Sequence, residues 1–233
     1  MGGSERVNQR GIYGIKGIAS PENIPGARSG FVSWKDQSGN LWLFGGEGYD
    51  RNGDKGRLND LWKYNVSSSS WTWVSGSDIR NQLDGPGARS YSTSWVDGSG
   101  NFWLYGGIGM GGPKSDLWKF NPTSNVWTNM GGGNFDAPVY GTKGVGAPGN
   151  KPGHRDFAYG WTDQSGNLWM FGGFCSTCPS NLTPSVIWKY DVFTGWWTWM
   201  GGNKDASSGA GVYGLPGSCL LSKSLPTVLP LIL

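Results

Sequence analysis

The pattern of apolar and polar positions repeats three times along this 233-residue chain. A Gly-Asn pair is followed by four apolar residues and a double glycine at residues 39–46, 100–107 and 166–173. A short apolar run bounded by turn residues predicts a strand buried on both faces. Such self-similarity is the signature of a repeat architecture, so we treat the chain as one array.

Other residues recur in a fixed order around this strand. They are Arg28, Arg89 and Arg155; Trp34, Trp95 and Trp161; Gly45, Gly46, Gly106, Gly107, Gly172 and Gly173; Trp62, Trp118 and Trp188; and Trp71, Trp127 and Trp197. Each repeat is predicted to hold four short strands, which in the first repeat cover residues 30–35, 41–44, 61–65 and 71–74. Apolar character falls from the second strand to the fourth, as in radially packed sheets whose last strand faces solvent.

Loop lengths divide the connections into two classes. The turn between strands one and two keeps its length at residues 36–40, 97–101 and 163–167, and the step between strands three and four is also fixed. The connection from the double glycine to the next tryptophan spans 16, 11 and 15 residues. Because the strands alternate in direction, we expect the variable loops at one end of the array, where binding usually resides.

These motifs resemble the kelch repeat. The resemblance rests on the double glycine after strand two, on the tryptophan that opens strand four, and on an aromatic residue in strand three, namely Tyr64, Phe120 or Tyr190. It covers about residues 21–202 and implies an all-β fold of kelch-type β-propeller blades, about three four-stranded antiparallel units, similar to the central domain of galactose-oxidase-like proteins. These repeats exceed the kelch period of about 50 residues because their variable loops are long.

The repeat divides the chain into six parts. We expect residues 1–20 to be the trailing loop of a missing blade, residues 21–80, 81–135 and 136–202 to be three blades, residues 203–217 to begin the next inter-blade loop, and residues 218–233 to be a tail outside the repeat. Propellers have about four to eight blades. The sequence therefore predicts a fragment of a larger repeat protein, with either an open arc or self-association through open blade edges.

Composition and charge narrow the partner classes. The chain has 42 Gly and 15 Trp, and every Trp lies within the repeats, so the indoles are first of all building material. A net charge of +3 without basic runs argues against nucleic acid or an anionic membrane as partner. No apolar segment follows the first residues, and the apolar run at 220–233 is shorter than the roughly 20 residues of a membrane-spanning helix. The Gly-, Ser-, Asn- and Trp-rich composition resembles that of exported repeat proteins and favours an extracellular location.

Candidate chemistry is sparse. The resemblance to galactose oxidase implies a copper site, but His154 is the single histidine and cannot build a nitrogen-rich site alone. Cys175 and Cys178 have the spacing of half a zinc site without a second pair, so we interpret them as a local disulfide or two free thiols. We predict no catalytic residue, metal or cofactor.

The recurring arginines have two interpretations. They are expected to stabilise the scaffold by bonding a loop carbonyl or an acid such as Asp60 or Asp116; alternatively, a ring of guanidinium groups could bind an acidic ligand.

The variable loops carry a mixture of aromatic and basic residues, which is typical of interface centres. The candidate ligand-facing residues, predicted to be exposed, are Tyr49, Arg51, Arg57, Met110, Lys114, Tyr140 and Lys143. Each of them could equally be an ordinary solvated loop residue. The sequence predicts a kelch scaffold that binds a protein or glycan without catalysis. The alternatives are a fragment of a propeller enzyme whose active-site residues lie outside this chain, and a structural segment of an extracellular array.

Overall fold

The structure, a computed structural model, describes residues 7–178 and 184–204, and all regular elements within these residues are β-strands. The strands are β1 (Ala19–Ser20), β2 (Arg28–Ser29), β3 (Val32–Lys35), β4 (Leu41–Tyr49), β5 (Lys55–Asn65), β6 (Ser70–Ser75), β7 (Arg89–Ser90), β8 (Thr93–Val96), β9 (Phe102–Tyr105), β10 (Ile108–Gly109), β11 (Gly112–Pro113), β12 (Leu117–Asn121), β13 (Val126–Gly131), β14 (Tyr159–Thr162), β15 (Leu168–Phe171), β16 (Val186–Asp191) and β17 (Trp196–Gly202). The predicted tail at 218–233, most of the predicted loop at 203–217, and Cys219 lie outside the described residues.

Each repeat forms one antiparallel sheet. β3, β4, β5 and β6 lie side by side in the first sheet, β8, β9, β12 and β13 in the second, and β14, β15, β16 and β17 in the third. β7, β10 and β11 make a small three-stranded extension beside the second sheet. The inner strands β3, β8 and β14 contact one another in that order. The predicted all-β fold of kelch-type blades is confirmed, and the described sheets form no closed ring.

The hydrophobic core lies between successive sheets. One cluster joins Trp34 and Phe44 of the first sheet to Phe102 and Phe120 of the second, and the Trp34 and Phe102 rings stack 5.1 Å apart. A second cluster joins the second and third sheets in the same way. A middle sheet therefore needs apolar side chains on both faces, and all four residues of β9 are buried.

Two strands of the first sheet are longer than predicted. The sequence analysis ended strand two at the double glycine, but β4 and β5 continue beyond it with Glu47 opposite Arg57. Gly45 and Gly46 have φ angles of 67° and 96°, and the strand register shifts between Phe44 and Gly46. The glycines form a bulge rather than an end, because glycine adopts left-handed backbone without steric cost.

The outer strand of the first sheet is not at the solvent edge, and the prediction that it is was wrong. The segment before the first repeat folds back, and β1 pairs with β6 through Ala19 and Thr72. Tyr13 from the same segment packs on Trp62 and Trp73 at ring distances of 4.9 and 5.2 Å. The loop before the third sheet does the same, with Tyr140 against Trp188 and Trp199.

The constant turns share one hydrogen-bond pattern. Asp36 accepts hydrogen bonds from the Asn40 amide at 2.9 Å and from the Trp42 indole at 2.9 Å, and Asp97 and Asp163 repeat this arrangement. Because each side chain fixes both the turn and an indole, an insertion here would break two bonds. The antiparallel order places these turns at one end of the sheets and the variable loops at the other.

Within residues 7–178 and 184–204, no helix has the length and hydrophobicity to cross a lipid bilayer.

Candidate interaction surface

The three sheets are joined at the start of their inner strands by residues with left-handed backbone. These residues follow the repeated arginine by two positions, and their φ angles are 63° at Gly30, 62° at Tyr91 and 55° at Phe157. The Tyr91 amide donates to the Gly30 carbonyl at 2.7 Å, and the Phe157 amide donates to the Tyr91 carbonyl at 3.0 Å. Backbone hydrogen bonds between these residues therefore link each sheet to the next at the variable-loop end.

This backbone presents aromatic rings to solvent. Tyr91 and Phe157 stack at a centroid distance of 4.2 Å. A Cβ atom at Gly30 would lie 2.5 Å from the Tyr91 ring, so glycine is what leaves room for it. Phe157 is 57% exposed and Phe31 is 44% exposed. The rings border a cleft of about 250 Å³, which we call the axial aromatic cleft; it is lined by Gly30, Phe31, Tyr91, Ser92, Phe157, Ala158 and Tyr159.

The axial aromatic cleft is unusual in its backbone. Bulky residues rarely adopt positive φ, and such conformations cost of order 1–3 kcal/mol each and cluster at functional sites. Sequence reasoning missed this cleft. The alignment places Gly30, Tyr91 and Phe157 at one repeat position, but no residue propensity predicts left-handed Tyr or Phe.

Two candidate residues of the first sheet, Tyr49 and Arg51, stand on either side of the buried Asp50 in the sequence. Asp50 accepts backbone hydrogen bonds from Asn52, Asp54 and Arg80, which fixes the loop between β4 and β5. Arg51 projects from that loop and pairs with Asp78 at 2.7 Å.

The other two candidates of this sheet lie along the same hairpin. Tyr49 lines a separate cleft of about 200 Å³, together with Glu47 and Lys55. Arg57 is partly buried; its amide donates to the Asn81 side-chain oxygen at 3.1 Å, and the Asn81 amide donates to the Arg57 carbonyl at 2.7 Å.

Lys114, in the second sheet, was predicted to be exposed, and this prediction is wrong. Its ammonium donates to the Met110 carbonyl at 2.9 Å and to the Asn134 side chain at 2.7 Å. Burial lowers the pKa of Lys114, and the nearby Arg89 acts in the same direction. Lys114 therefore closes its own loop, whereas the Met110 side chain is exposed.

The candidates before the third sheet lie on the outer strand. Tyr140 is packed between two indoles, as described above, and the exposed Lys143 lies 5.9 Å over the Trp199 ring. Lys16 lies 4.3 Å over Trp73 in the first sheet. In both sheets, therefore, a lysine of the preceding loop packs on a tryptophan of the outer strand. The seven candidates thus belong to three separate loops, and none of them lines the axial aromatic cleft.

Arg28 and Arg89 are buried in ion pairs with the acids expected from the sequence. Arg28 binds both carboxylate oxygens of Asp60 at 2.6 and 2.8 Å, and Arg89 binds those of Asp116 at 2.7 and 2.8 Å. Each arginine also donates to a carbonyl of the double glycine. Their guanidinium groups hold the sheet together and are not accessible to an acidic ligand.

Asp60 accepts hydrogen bonds from two residues besides Arg28. The Tyr13 hydroxyl donates to it at 2.6 Å and the Trp62 indole at 2.7 Å. Burial acts to lower the pKa of Arg28, but the charge and hydrogen bonds of Asp60 more than offset it, and the pKa is raised. Asp116 likewise accepts from the Trp118 indole at 2.7 Å.

The third repeat lacks this acid, because Val186 stands where the others have aspartate. Arg155 is fully buried, and its Nε and Nη2 atoms have no hydrogen-bond partner; the Trp188 indole also has none. Arg155 Nη1 donates to the His154 carbonyl at 2.7 Å and lies 3.5 Å from Cys178 Sγ. Burial lowers the pKa of Arg155, against the opposing effects of Tyr105 and Tyr140.

A disulfide and two buried ionisable groups flank Arg155. Cys175 and Cys178 are bonded to each other, which decides between the two interpretations left open by the sequence. The His154 imidazole contacts the Ser176 hydroxyl at 3.0 Å, and burial lowers the pKa of His154 to about 4, with Arg155 acting in the same direction. Burial raises the pKa of Asp156 to about 6.

A cleft of about 490 Å³ is lined by residues of the second and third sheets and was not predicted. Asp136 and Lys151 line it and pair at 3.1 Å. Although burial opposes the change, hydrogen bonds from Ser115 and Lys151 hold the pKa of Asp136 below its usual range. The neutralised pair leaves this groove polar without a strong net charge.

Comparison with known proteins gives one consistent result. The family profile described as "KLHDC2/KLHL20/DRC7 Kelch-repeats domain" matches residues 15–141, more than half of the chain. Multiple epidermal growth factor-like domains protein 8 of Mus musculus is 28% identical over 191 residues, which cover 80% of this chain and 6% of that protein. The Homo sapiens protein of the same name is 30% identical over 177 residues, 75% of this chain and 5% of that protein.

The chain therefore spans about a twentieth of the length of these relatives, consistent with a fragment of a larger protein. Kelch repeats generally serve as protein-interaction scaffolds, and the family is typically non-enzymatic. The repeated motifs, the stacked four-stranded sheets and the matching family profile agree: this chain belongs to the kelch-repeat family.

Proposed function

We propose that this chain binds a partner protein at its variable-loop end, with the axial aromatic cleft as the anchor, and that it has no catalytic activity of its own. The observation that carries the proposal is the row of left-handed residues that brings the Tyr91 and Phe157 rings together at the junction of three sheets. A rigid aromatic surface with little rotamer entropy to lose is the usual centre of a protein interface.

The cleft favours a small apolar anchor. Its volume of about 250 Å³ suits a single large side chain from an extended segment better than a whole domain. Exposed candidates in the surrounding loops, Arg51 and Met110 among them, would then contact the flanking residues of the partner. Aromatic and basic residues around an apolar centre give such a surface its specificity.

A peptide selection tests this proposal. A displayed library of random short peptides is selected on the full chain, and binding of the enriched peptides is measured on variants. Phe157→Asn removes the ring but keeps a residue that tolerates left-handed backbone. We expect at least about tenfold weaker binding, since truncating an interface hot spot costs about 2 kcal/mol or more.

Phe193→Asn is the matched control, because Phe193 is 95% exposed in a turn at the opposite end of the third sheet. Binding that survives Phe157→Asn, or that is lost equally with Phe193→Asn, would contradict the proposal. Failure to enrich peptides, with binding seen only on a glycan array, would replace the protein partner by a glycan.

A second candidate function is assembly with another copy of this chain, supported by the outer faces of the array. Trp161, on the face of the third sheet that no other described sheet covers, is 45% exposed, whereas the corresponding Trp34 and Trp95 are 5% and 3% exposed beneath a following sheet. Phe171 is also exposed, although its counterparts Phe44 and Tyr105 are buried. The exposed face of the third sheet therefore corresponds to the faces by which the first and second sheets pack against the sheet that follows.

The first sheet offers the complementary face. Leu41 is 46% exposed, whereas the corresponding Phe102 and Leu168 are fully buried against the preceding sheet. We propose that the first sheet of one copy docks on the third sheet of another, head to tail. Two copies would supply six sheets, within the range of about four to eight that closes a propeller.

Sedimentation of the full chain over a range of concentrations tests the assembly. We expect a dimer whose dissociation constant rises at least about tenfold with Trp161→Glu, because a charge would be buried in an apolar contact. Phe193→Glu should leave the constant unchanged. A chain that stays monomeric throughout, or that dimerises equally with Trp161→Glu, contradicts the proposal and leaves peptide binding unaffected.

A further inference from the structure

The strongest unexplained feature outside the axial aromatic cleft is the buried cation of the third repeat. We propose that Cys175–Cys178 is a reducible disulfide, and that its reduction supplies a Cys178 thiolate to Arg155 as the anionic partner that Asp60 and Asp116 provide in the first two sheets. The reactant at this site is a dithiol reductant. The proposal does not depend on partner binding at the axial aromatic cleft.

Two buried side chains of the third repeat have donor atoms without an acceptor. Arg155 Nε and Nη2 and the Trp188 indole are buried without hydrogen-bond partners. In the first sheet the corresponding guanidinium and indole both donate to Asp60, at 2.6 to 2.8 Å. Replacing the aspartate by Val186 therefore removes an acceptor from two donors at once, and an unpaired buried charge is strongly unfavourable.

The disulfide lies where a new anion would be useful. Cys178 Sγ is 3.5 Å from Arg155 Nη1, Cys178 is partly exposed, and Cys175 is fully buried. Neither of the first two repeats has a cysteine in the corresponding loop, and both have the aspartate. The lost carboxylate and the Cys-Ser-Thr-Cys segment thus occur together in one repeat.

The reaction balances as ordinary thiol–disulfide exchange. One thiolate of the dithiol attacks the exposed Cys178 sulfur, the Cys175–Cys178 bond breaks, and Cys175 leaves and takes up a proton. The second thiol of the reductant then attacks the mixed disulfide and releases Cys178 as a thiolate beside Arg155. Two electrons pass to the protein, the dithiol becomes a cyclic disulfide, and one of its two protons is released to solvent.

The structure fixes the surroundings of this loop independently of the sulfur–sulfur bond. Ser176 contacts His154, and the Thr177 hydroxyl donates to the Asp136 carbonyl at 2.8 Å. Cys178 N also donates to the Cys175 carbonyl at 3.3 Å. Reduction should therefore leave Cys178 close to Arg155.

The test measures thiol ionisation. In the full chain carrying Cys219→Ser, the disulfide is reduced with dithiothreitol, and the rate of alkylation by iodoacetamide is followed against pH, with peptide mapping to separate Cys178 from Cys175. An opposite charge at this distance lowers a pKa by about 1–3 units, so we expect the Cys178 midpoint at least about one unit below the usual value of about 8.5.

Val186→Asp supplies the carboxylate directly and should move the Cys178 midpoint back up by about one unit or more, which is about tenfold slower alkylation near neutral pH. Val186→Asn is the matched neutral control and should leave the midpoint in place. The proposal is overturned if the Cys178 midpoint is near or above 8.5, or if it does not respond to Val186→Asp. Failure of Val186→Asp to fold would overturn it too, because aspartate is the residue that the first two sheets use there.

Discussion

The first two repeats and the third are built on one plan, but they treat the same buried arginine differently. Arg28 and Arg89 each reach an aspartate and a carbonyl, and the same aspartate binds a buried indole. In the third repeat Arg155 is buried as deeply, Val186 takes the place of the acid, and the Trp188 indole has no acceptor. The difference shows that a repeat can keep its fold after one of its main polar contacts has been lost.

The flanking residues differ in the same way. The recurring arginine has alanine before it and serine after it in the first two repeats, but His154 and Asp156 in the third. Both are nearly fully buried, and the His154 Nε2 atom lies 4.0 Å from an Asp156 carboxylate oxygen. The third repeat therefore has, in place of one ion pair, two buried ionisable side chains whose charges depend on pH.

The largest expected effect comes from converting the second repeat into the third. Asp116→Val should lower the free energy of unfolding by about 3–5 kcal/mol, because it leaves Arg89 as an uncompensated buried charge. Urea unfolding followed by tryptophan fluorescence measures the change. A loss below about 1 kcal/mol, the range of exposed ion pairs, would show that the pair contributes little.

The reverse change is the control for that prediction. Val186→Asp gives Arg155 and the Trp188 indole an acceptor and should raise the free energy of unfolding of the oxidised protein, by about 1–3 kcal/mol after the cost of burying a carboxylate. If both substitutions lower the free energy of unfolding equally, the comparison between the repeats fails. The loss would then come from changing the native residue and not from the presence or absence of an acid beside the arginine.

A smaller contrast separates a covered sheet face from an open one. Gly106 and Gly172 have φ angles of 65° and 68°, so alanine at either site costs about 1–2 kcal/mol for left-handed backbone. A Cβ at Gly106 would lie 2.3 Å from the Arg155 carbonyl oxygen, whereas a Cβ at Gly172 meets nothing within 4 Å. Gly106→Ala should therefore cost about 1–3 kcal/mol more than Gly172→Ala for overpacking.

Thermal or urea unfolding of the two variants at low protein concentration measures this contrast. Equal losses would mean that the sheets do not pack as closely as the structure shows. At high concentration Gly172→Ala should also weaken head-to-tail assembly, because the docked sheet would bring a carbonyl to the same place.

The sequence predicted the architecture because each feature has a local signal. The spacing of tryptophans and glycines defined the strands, and the constant Asp-to-Asn turns follow from hydrogen bonds within five residues. Asp60 and Asp116 were identifiable as partners of the arginines because they recur at one distance from a tryptophan. The substitution at Val186 was visible in the same alignment, but its consequence depends on burial, which only the fold reveals.

The features that escaped prediction depend on contacts between distant segments. Left-handed Tyr91 and Phe157 exist because hydrogen bonds from neighbouring sheets hold them, against their own preference. The burial of Lys114 depends on Asn134 in a later loop. Residues 19–20 carry no strand pattern and form β1 only because β6 offers a free edge.

The buried acid beside Arg155 gives a stability difference that changes with pH. Asp156 has a folded-state pKa near 6, whereas in the unfolded chain it ionises near 4. The folded protein therefore binds this proton more tightly, and stability is lost as the pH rises from about 4 through 6. Asp156→Ser, which restores the residue of the first two repeats, should gain about 1–3 kcal/mol at pH 7 and lose that gain near pH 4.

His154→Ala provides the opposite pH dependence. His154 has its pKa lowered to about 4, so the unfolded chain takes up this proton first and stability falls as the pH drops from about 6.5 toward 4. Relative to the unsubstituted chain, His154→Ala should therefore improve as the pH falls through this range, while Asp156→Ser worsens. Measuring the free energy of unfolding of both variants at several pH values separates the two groups. Parallel pH profiles for the two variants would mean that neither side chain is held in the buried, uncharged state that distinguishes the third repeat.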